Sequence, residues 1–266
     1  MSEPLESPEA LVHRASERGV TTLTLDSPSN RNALSTRLVA ELSDGLAWAE
    51  RDQATRAVVL THTGSVFCAG ADLKETTSGD PASGPRNLVR LMRAIVELGK
   101  PVLARIDGHV RAGGLGLVGA CDIAVAGPKA TFAFTEVKLG LAPAVISLPL
   151  LPRLEPRAAS AWYLTGATFD AIEAARIGLI TQAAADEGGV DAACERYLES
   201  LRTASPQGLA ETKRLVTADV LASFDEHCDA MVELSTRLFG SAEAQEGMRA
   251  FLERRPPSWA QELQSS

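Results

Sequence analysis

Cysteine is scarce in this 266-residue chain: Cys68, Cys121, Cys194 and Cys228 lie far apart and form no CxxC pair. So few thiols cannot make a disulfide framework, and they are expected to be reduced, as in a cytosolic protein. The four histidines, His13, His62, His109 and His227, are equally scattered, with no HExxH and no His/Cys pair at ligand spacing, so no metal is expected. Basic residues trail acidic ones, 26 against 34, for a net charge of −8. An acidic chain lacks the electrostatic footprint of a general nucleic-acid binder. Long apolar runs are missing too. The most apolar stretch, 112–126, is interrupted by Asp122 and holds four glycines, short of the ~18 residues that cross a bilayer. Residues 1–10 are polar, acidic and proline-containing, without the basic and apolar regions of a signal peptide. The expectation is a soluble, cytoplasmic protein with neither membrane nor nucleic-acid partners.

What is present suits an enzyme-sized globular fold: 45% hydrophobic and 23% charged residues. Residues 11–25 read as two short strands about Glu17-Arg18-Gly19, the second alternating threonine with apolar residues. Ser35 is a candidate N-cap for a helix that places Leu38, Leu42, Leu46 and Ala49 on one face. A strand over 56–61 leads into the tight segment Phe67-Cys-Ala-Gly-Ala-Asp-Leu-Lys-Glu75. Residues 76–86 read as a mobile loop and 87–98 as an amphipathic helix through Leu88, Leu91, Ile95 and Leu98. Further strands are expected over 101–106, 123–126 and 131–134, and helices over 113–120, 155–165 and 170–177. After about Val190 the chain reads as helix upon helix, so the sequence divides into a mixed core, 1–190, and a helical region, 191–266.

Gly114, Gly116 and Gly119 match GxGxxG, and Glu136 lies near where a ribose-binding acid belongs. That dinucleotide reading fails on topology, because the strand over 123–126 returns too soon for a βαβ crossover. A better reading joins two segments of small residues that each follow a strand, 68–74 and 107–114. Small residues let backbone approach a ligand and present free N–H groups, and two such donors from different loops make an oxyanion hole.

These segments, with Pro28, Arg31-Asn-Ala-Leu34, the run 107–126, Phe134-Thr-Glu-Val-Lys-Leu-Gly-Leu-Ala-Pro143 and the tail Phe251-Leu-Glu-Arg-Arg-Pro-Pro257, resemble the crotonase (enoyl-CoA hydratase/isomerase) superfamily over nearly the whole length. The stretch 136–147 is also similar to bacterial methylglutaconyl-CoA hydratase-like members. The resemblance implies an α/β spiral of ββα units with a C-terminal helical region that trimerises, often as a dimer of trimers. It implies an acyl-CoA substrate, with coenzyme A arriving as part of the substrate and no other cofactor. It assigns the oxyanion-hole amides to Ala71 and Gly113, and the coenzyme A contacts to Arg31, Ala69, Ala71, Leu73 and Lys74. Arg254 or Arg255 would add charge from a neighbouring subunit, and the segment 142–147 would line the acyl pocket.

Hydratases of this family carry two glutamates. The second matches Glu136; the first falls on Gly116, which cannot move a proton. A single carboxylate can still shuttle a proton between two carbons, which is isomerase chemistry, or orient a water for hydration. The reading is therefore a hydratase-type lyase acting on a 2-enoyl-CoA, with two alternatives open: a delta-isomerase using Glu136 alone, and a non-catalytic acyl-CoA binder. His109 is a candidate second acid/base group or a local hydrogen-bonding residue, and Arg111 a candidate partner for an acidic acyl group. Asp72 and Asp122 are expected to hold loops through backbone hydrogen bonds.

Overall fold

The hairpin forms as expected. Strands β1 (Val12–Glu17) and β2 (Val20–Leu25) pair antiparallel about Arg18 and Gly19, both at positive φ. Such a two-residue turn matches the right-handed twist of the strands it joins. The structure, a computed structural model, describes residues 9–76, 82–186 and 188–262.

From β2 the chain winds in repeated pairs of strands. The pairs are β3 (Ala57–His62) with β4 (Val66–Cys68), β5 (Val102–Ile106) with β6 (His109–Arg111), and β7 (Ile123–Ala126) with β8 (Thr131–Ala133). Two short strands follow, β9 (Phe169–Asp170) and β10 (Gln182–Ala183). The first strand of each pair joins a sheet ordered β1-β2-β3-β5-β7-β10, and the second joins a smaller sheet ordered β4-β6-β8-β9. Every neighbour is parallel except β1 with β2 and β8 with β9. Each turn of chain thus lays one strand on each sheet, which is the spiral implied by the resemblance.

Helices fill the space between turns. Helix α1 (Thr36–Arg51) starts at Ser35, whose Oγ accepts from Leu38 N at 3.2 Å, and it buries Leu38, Leu42, Leu46 and Ala49. Helix α2 (Leu73–Thr76) is a single turn. Helix α3 (Ser83–Glu97) begins earlier than the sequence suggests, because Gly84 and Pro85, read as loop, occupy its first turn. A proline costs nothing there, since that N–H has no partner within the helix. Residues 77–81 of the expected loop lie outside the described residues. Helices α4 (Gly113–Ala120), α5 (Ser147–Leu150), α6 (Pro156–Thr165) and α7 (Ala171–Arg176) complete the winding part.

Helix α8 (Gly189–Thr203) lays Val190, Ala193, Cys194 and Leu198 on Val20, Ala57, Val59, Leu103 and Val125 of the large sheet. Beyond it run α9 (Pro206–Val216), α10 (Ala218–Phe239), α11 (Ala242–Glu253) and α12 (Ser258–Glu262). One buried cation ties this helical part to the sheets. Lys213, 5% exposed, donates to the Ile95 and Lys100 carbonyls at 2.8 and 3.1 Å and pairs with Asp122 Oδ2 at 2.8 Å. Asp122 Oδ2 also accepts from Val102 N at 2.7 Å, the backbone-holding role expected of it. Removing one member of a buried pair leaves an uncompensated charge. Lys213→Met is therefore expected to lower the unfolding free energy in urea by roughly 3–5 kcal/mol, with Asp122→Asn in the same chain recovering part of the loss.

Candidate active site

Strands β4, β6 and β8 are parallel neighbours, so their carboxyl ends share one edge of the small sheet. That edge is where open parallel sheets bind ligands. Ala71 follows the end of β4, Gly113 the end of β6 and Glu136 the end of β8. The spiral therefore gathers three groups separated by 65 residues of sequence.

The first two loops touch through their backbones. Gly70 sits at φ +91, and a Cβ there would lie 2.8 Å from Ala112 Cβ and 3.1 Å from Gly113 N. Only glycine meets both demands. Ala112 is held at φ 45, ψ −121, a strained conformation for a residue with a side chain, while its N–H donates to the Ala133 carbonyl at 3.2 Å. That twist starts α4 and turns the Gly113 N–H away from the sheet. Among the described residues neither Ala71 N nor Gly113 N has a protein acceptor. Two unpaired amides, one at a helix start, form a site for an oxygen that gains negative charge.

The rim beside Ala71 carries the other predicted residues. Ala69 N donates to the Arg31 carbonyl at 3.1 Å, and Leu34 N to the Gly70 carbonyl at 2.8 Å, which stitches the 31–34 loop to the 69–71 loop. Buried Asn32 fixes that stitch: its Oδ1 accepts from Ser27 N at 2.7 Å and its Nδ2 donates to the Thr63 and Val66 carbonyls. Asp72 holds the loop as expected, accepting from Asn30 Nδ2 at 2.7 Å and from Lys74 N at 3.0 Å. Arg31 and Lys74 are exposed on this rim and Leu73 is half-buried.

Glu136 lies in a 3₁₀ turn, Thr135–Leu139, not on a strand end in solvent. It is 9% exposed, and its Oε2 is buried with no hydrogen-bond partner among the described residues. Burial penalises the charged form and pushes its pKa up to about 7. A proton acceptor of that affinity suits transfer to and from carbon near neutral pH.

Gly116, the position of the absent first glutamate, is filled from outside. A Cβ there would stand 2.6 Å from Met92 Sδ and 2.7 Å from Ile146 Cγ2. Gly114 and Gly119 are likewise closed, by Cys68 and by Leu150. The GxGxxG match is thus a set of close helix contacts inside buried α4, which supports the rejection of the dinucleotide reading.

His109 and Arg111 are not brought to Glu136. His109 Nδ1 meets Thr131 Oγ1 at 2.9 Å, and the Arg111 guanidinium donates to the Thr131 carbonyl, Thr131 Oγ1 and the Val110 carbonyl. Strand alternation turns both away from Val110 and Phe132, which pack in the core. Arg255 is engaged within its own chain, with Glu246 and Glu253 each at 2.6 Å. Arg254 ends α11 at φ 56 and is exposed.

Sequence reasoning did not place α11 at this site. Leu141, Ala244 and Met248 form a cluster with Leu73, Leu139 and Leu238, so α11 walls the space between the 69–76 rim and the Glu136 turn. The approach is close enough that a Cβ on Gly247 would lie 2.5 Å from the Leu139 carbonyl oxygen. Glycines at 140 and 247 were the available signal, but neither names its partner.

Two outcomes follow. Gly116→Ala is expected to cost about 1–3 kcal/mol of stability, because Met92 and Ile146 must shift. Glu136 binds its proton more tightly folded than unfolded, so it favours folding while protonated and loses that contribution as pH rises from about 4.5 through about 7. Denaturation of Glu136→Gln should accordingly show a gain of up to roughly 3 kcal/mol at pH 8.5 that shrinks towards zero near pH 4.5.

The geometry has close relatives. The sequence profile of the family Enoyl-CoA hydratase/isomerase matches residues 15–262. A crystal structure of an enoyl-CoA hydratase from Mycobacterium avium is 55% identical with a TM-score of 0.87, covering 94% of this chain and 99% of that one. A mevalonyl-coenzyme A hydratase of Aspergillus fumigatus is 33% identical over 248 residues, 89% of this chain and 90% of that protein. A 1,2-epoxyphenylacetyl-CoA isomerase of Escherichia coli is 32% identical over 251 residues, 91% of this chain and 95% of that protein. On these matches and the shared spiral, the chain belongs to the enoyl-CoA hydratase/isomerase family of the crotonase superfamily.

Proposed function

We propose that this protein is a hydratase-type lyase that adds water across the double bond of a 2-enoyl-CoA. The observation that carries the reading is the buried Glu136 carboxyl, whose Oε2 has no hydrogen-bond partner among the described residues, on the same sheet edge as two backbone amides without acceptors among those residues. In this reading the Ala71 and Gly113 N–H groups hold the thioester oxygen. Glu136 takes a proton from water as the water oxygen bonds to the β-carbon, and the double-bond electrons move onto the thioester as an enolate. Glu136 then returns the proton to the α-carbon, which completes the addition with one carboxylate.

The coenzyme A portion lies along the rim. The backbone of Ala69 to Leu73 receives adenine and pantetheine, and exposed Arg31 and Lys74 face the phosphates. Segment 142–147 forms the acyl pocket next to Gly116, where Ile146 and Met92 make the wall apolar. The assembly is a homotrimer or a dimer of trimers, consistent with the large apolar side chains Leu164, Ile172 and Leu215 exposed on a single chain. Arg254 is the tail residue free to serve a neighbouring subunit's coenzyme A.

The filled position at Gly116 favours a second reading. With no second carboxylate, Glu136 can instead move a proton from the α- to the γ-carbon of a 3-enoyl-CoA and act as an isomerase. A product assay in H₂¹⁸O separates the two, with crotonyl-CoA, 3-methylglutaconyl-CoA and a 3-enoyl-CoA offered in parallel. Label at the β-carbon of a 2-enoyl substrate is the expected result; conversion of the 3-enoyl ester without label would make the protein an isomerase, and silence on all three would sink both. Glu136→Gln should lose turnover by about 10²-fold or more in either enzyme and change nothing in a mere acyl-CoA binder. Hydration should rise with pH through a midpoint near 7, since the carboxylate form accepts the water's proton.

A further inference from the structure

Glu136 is not alone in lacking a partner. The phenol oxygen of Tyr163 is also buried with no hydrogen bond of normal geometry among the described residues. Both groups belong to one packed unit. The Tyr163 ring lies 4.2 Å, centroid to centroid, from the ring of Phe134, which begins the turn that carries Glu136. Gly166, at the end of α6, presses on the same turn: a Cβ there would be 2.9 Å from the Phe134 carbonyl oxygen and 3.0 Å from Val137 Cγ1. Ser147 is close to the phenol, but its hydroxyl donates to the Pro143 carbonyl at 2.6 Å and makes no hydrogen bond with Tyr163.

A buried hydroxyl and a buried carboxyl oxygen left unpaired each carry the cost of lost hydration. Their chemistry is complementary: the phenol donates and the carboxylate accepts. A water within reach of both groups would accept from Tyr163 and donate to Glu136. Met92 and Ile146 make the wall next to Gly116 apolar.

Resting on the hydratase reading above, we propose that Tyr163 holds the attacking water against Glu136 and so supplies the positioning that Gly116 cannot. The phenol keeps its own proton throughout. The water's proton goes to Glu136, its oxygen to the β-carbon, and the Tyr163 hydrogen bond stays on that oxygen as it becomes the product hydroxyl. Burial and the Glu136 charge both hold the phenol protonated, as a donor must be.

Enolate formation needs Glu136 and the two amides but no water, which gives a contrast that a general packing role would not produce. The test compares hydration of crotonyl-CoA with uptake of deuterium at the α-carbon of butyryl-CoA in D₂O, for wild type and Tyr163→Phe. The phenylalanine keeps the stack on Phe134. Hydration kcat should fall at least about 10-fold with KM changed less than about threefold, while α-deuteration stays within about threefold. Equal loss of both activities, or no loss of either, overturns the proposal for Tyr163 and leaves the hydratase reading standing. A wild type that deuterates butyryl-CoA but hydrates nothing overturns the hydratase reading and this inference with it. Tyr163→Met gives the same contrast should the phenylalanine variant not fold.

Discussion

Three parallel strands of the small sheet end side by side, and everything at this site depends on that. Strands β4, β6 and β8 are very short, and each hands the chain to a loop that supplies one chemical group: the Ala71 amide, the Gly113 amide and the Glu136 carboxyl. Parallel neighbours require a crossover between them. Here each crossover lays its other strand on the large sheet, so the spiral that builds the core also aligns the three loops. Contact between Gly70 and Gly113 then fixes the spacing of the two amides without help from any long side chain.

The same fold handles two buried charges in opposite ways. Asp122 is matched by Lys213 and by the Val102 amide, and it holds the helical part against the sheets. Glu136 has no ion pair and its Oε2 no hydrogen-bond partner among the described residues, so burial raises its proton affinity and costs stability once it ionises. Structural carboxylates are paired, and this one is left able to gain and lose a proton. The wall formed by α11, Leu141 and Met248 packs beside the turn that carries Glu136.

Gly116 shows how a family pattern can be altered without leaving a gap. Met92 and Ile146 close over it, so the structure is apolar at the position that the family resemblance assigns to a carboxylate. The polar group nearest in role comes from a different element, α6, and is a phenol whose acid–base behaviour differs from a carboxylate. In the reading proposed above, keeping the two amides while changing the second group keeps the enolate and changes what can be done with it.

Much was legible in the sequence because it depends on local pattern. The 12–25 hairpin, the α1 face from Ser35 to Ala49 and the small residues after β4 and β6 follow from alternation, helical spacing and glycine content. Their resemblance to an ordered set of family motifs pointed to Ala71, Gly113 and Glu136. What the sequence did not carry was the environment. It identified Glu136 but not the buried turn that holds it, left His109 and Arg111 open although strand alternation turns both towards Thr131, and read Gly84 and Pro85 as loop although they begin α3. Lys213, Met248 and Tyr163 were not singled out at all, because each acts on a partner far away in sequence: Asp122, Leu141, and the turn behind Phe134. Identity of the groups at a backbone-built site is written locally, in small residues after strands. Burial, pairing and proton affinity come from what packs around them, and those belong to the tertiary structure alone.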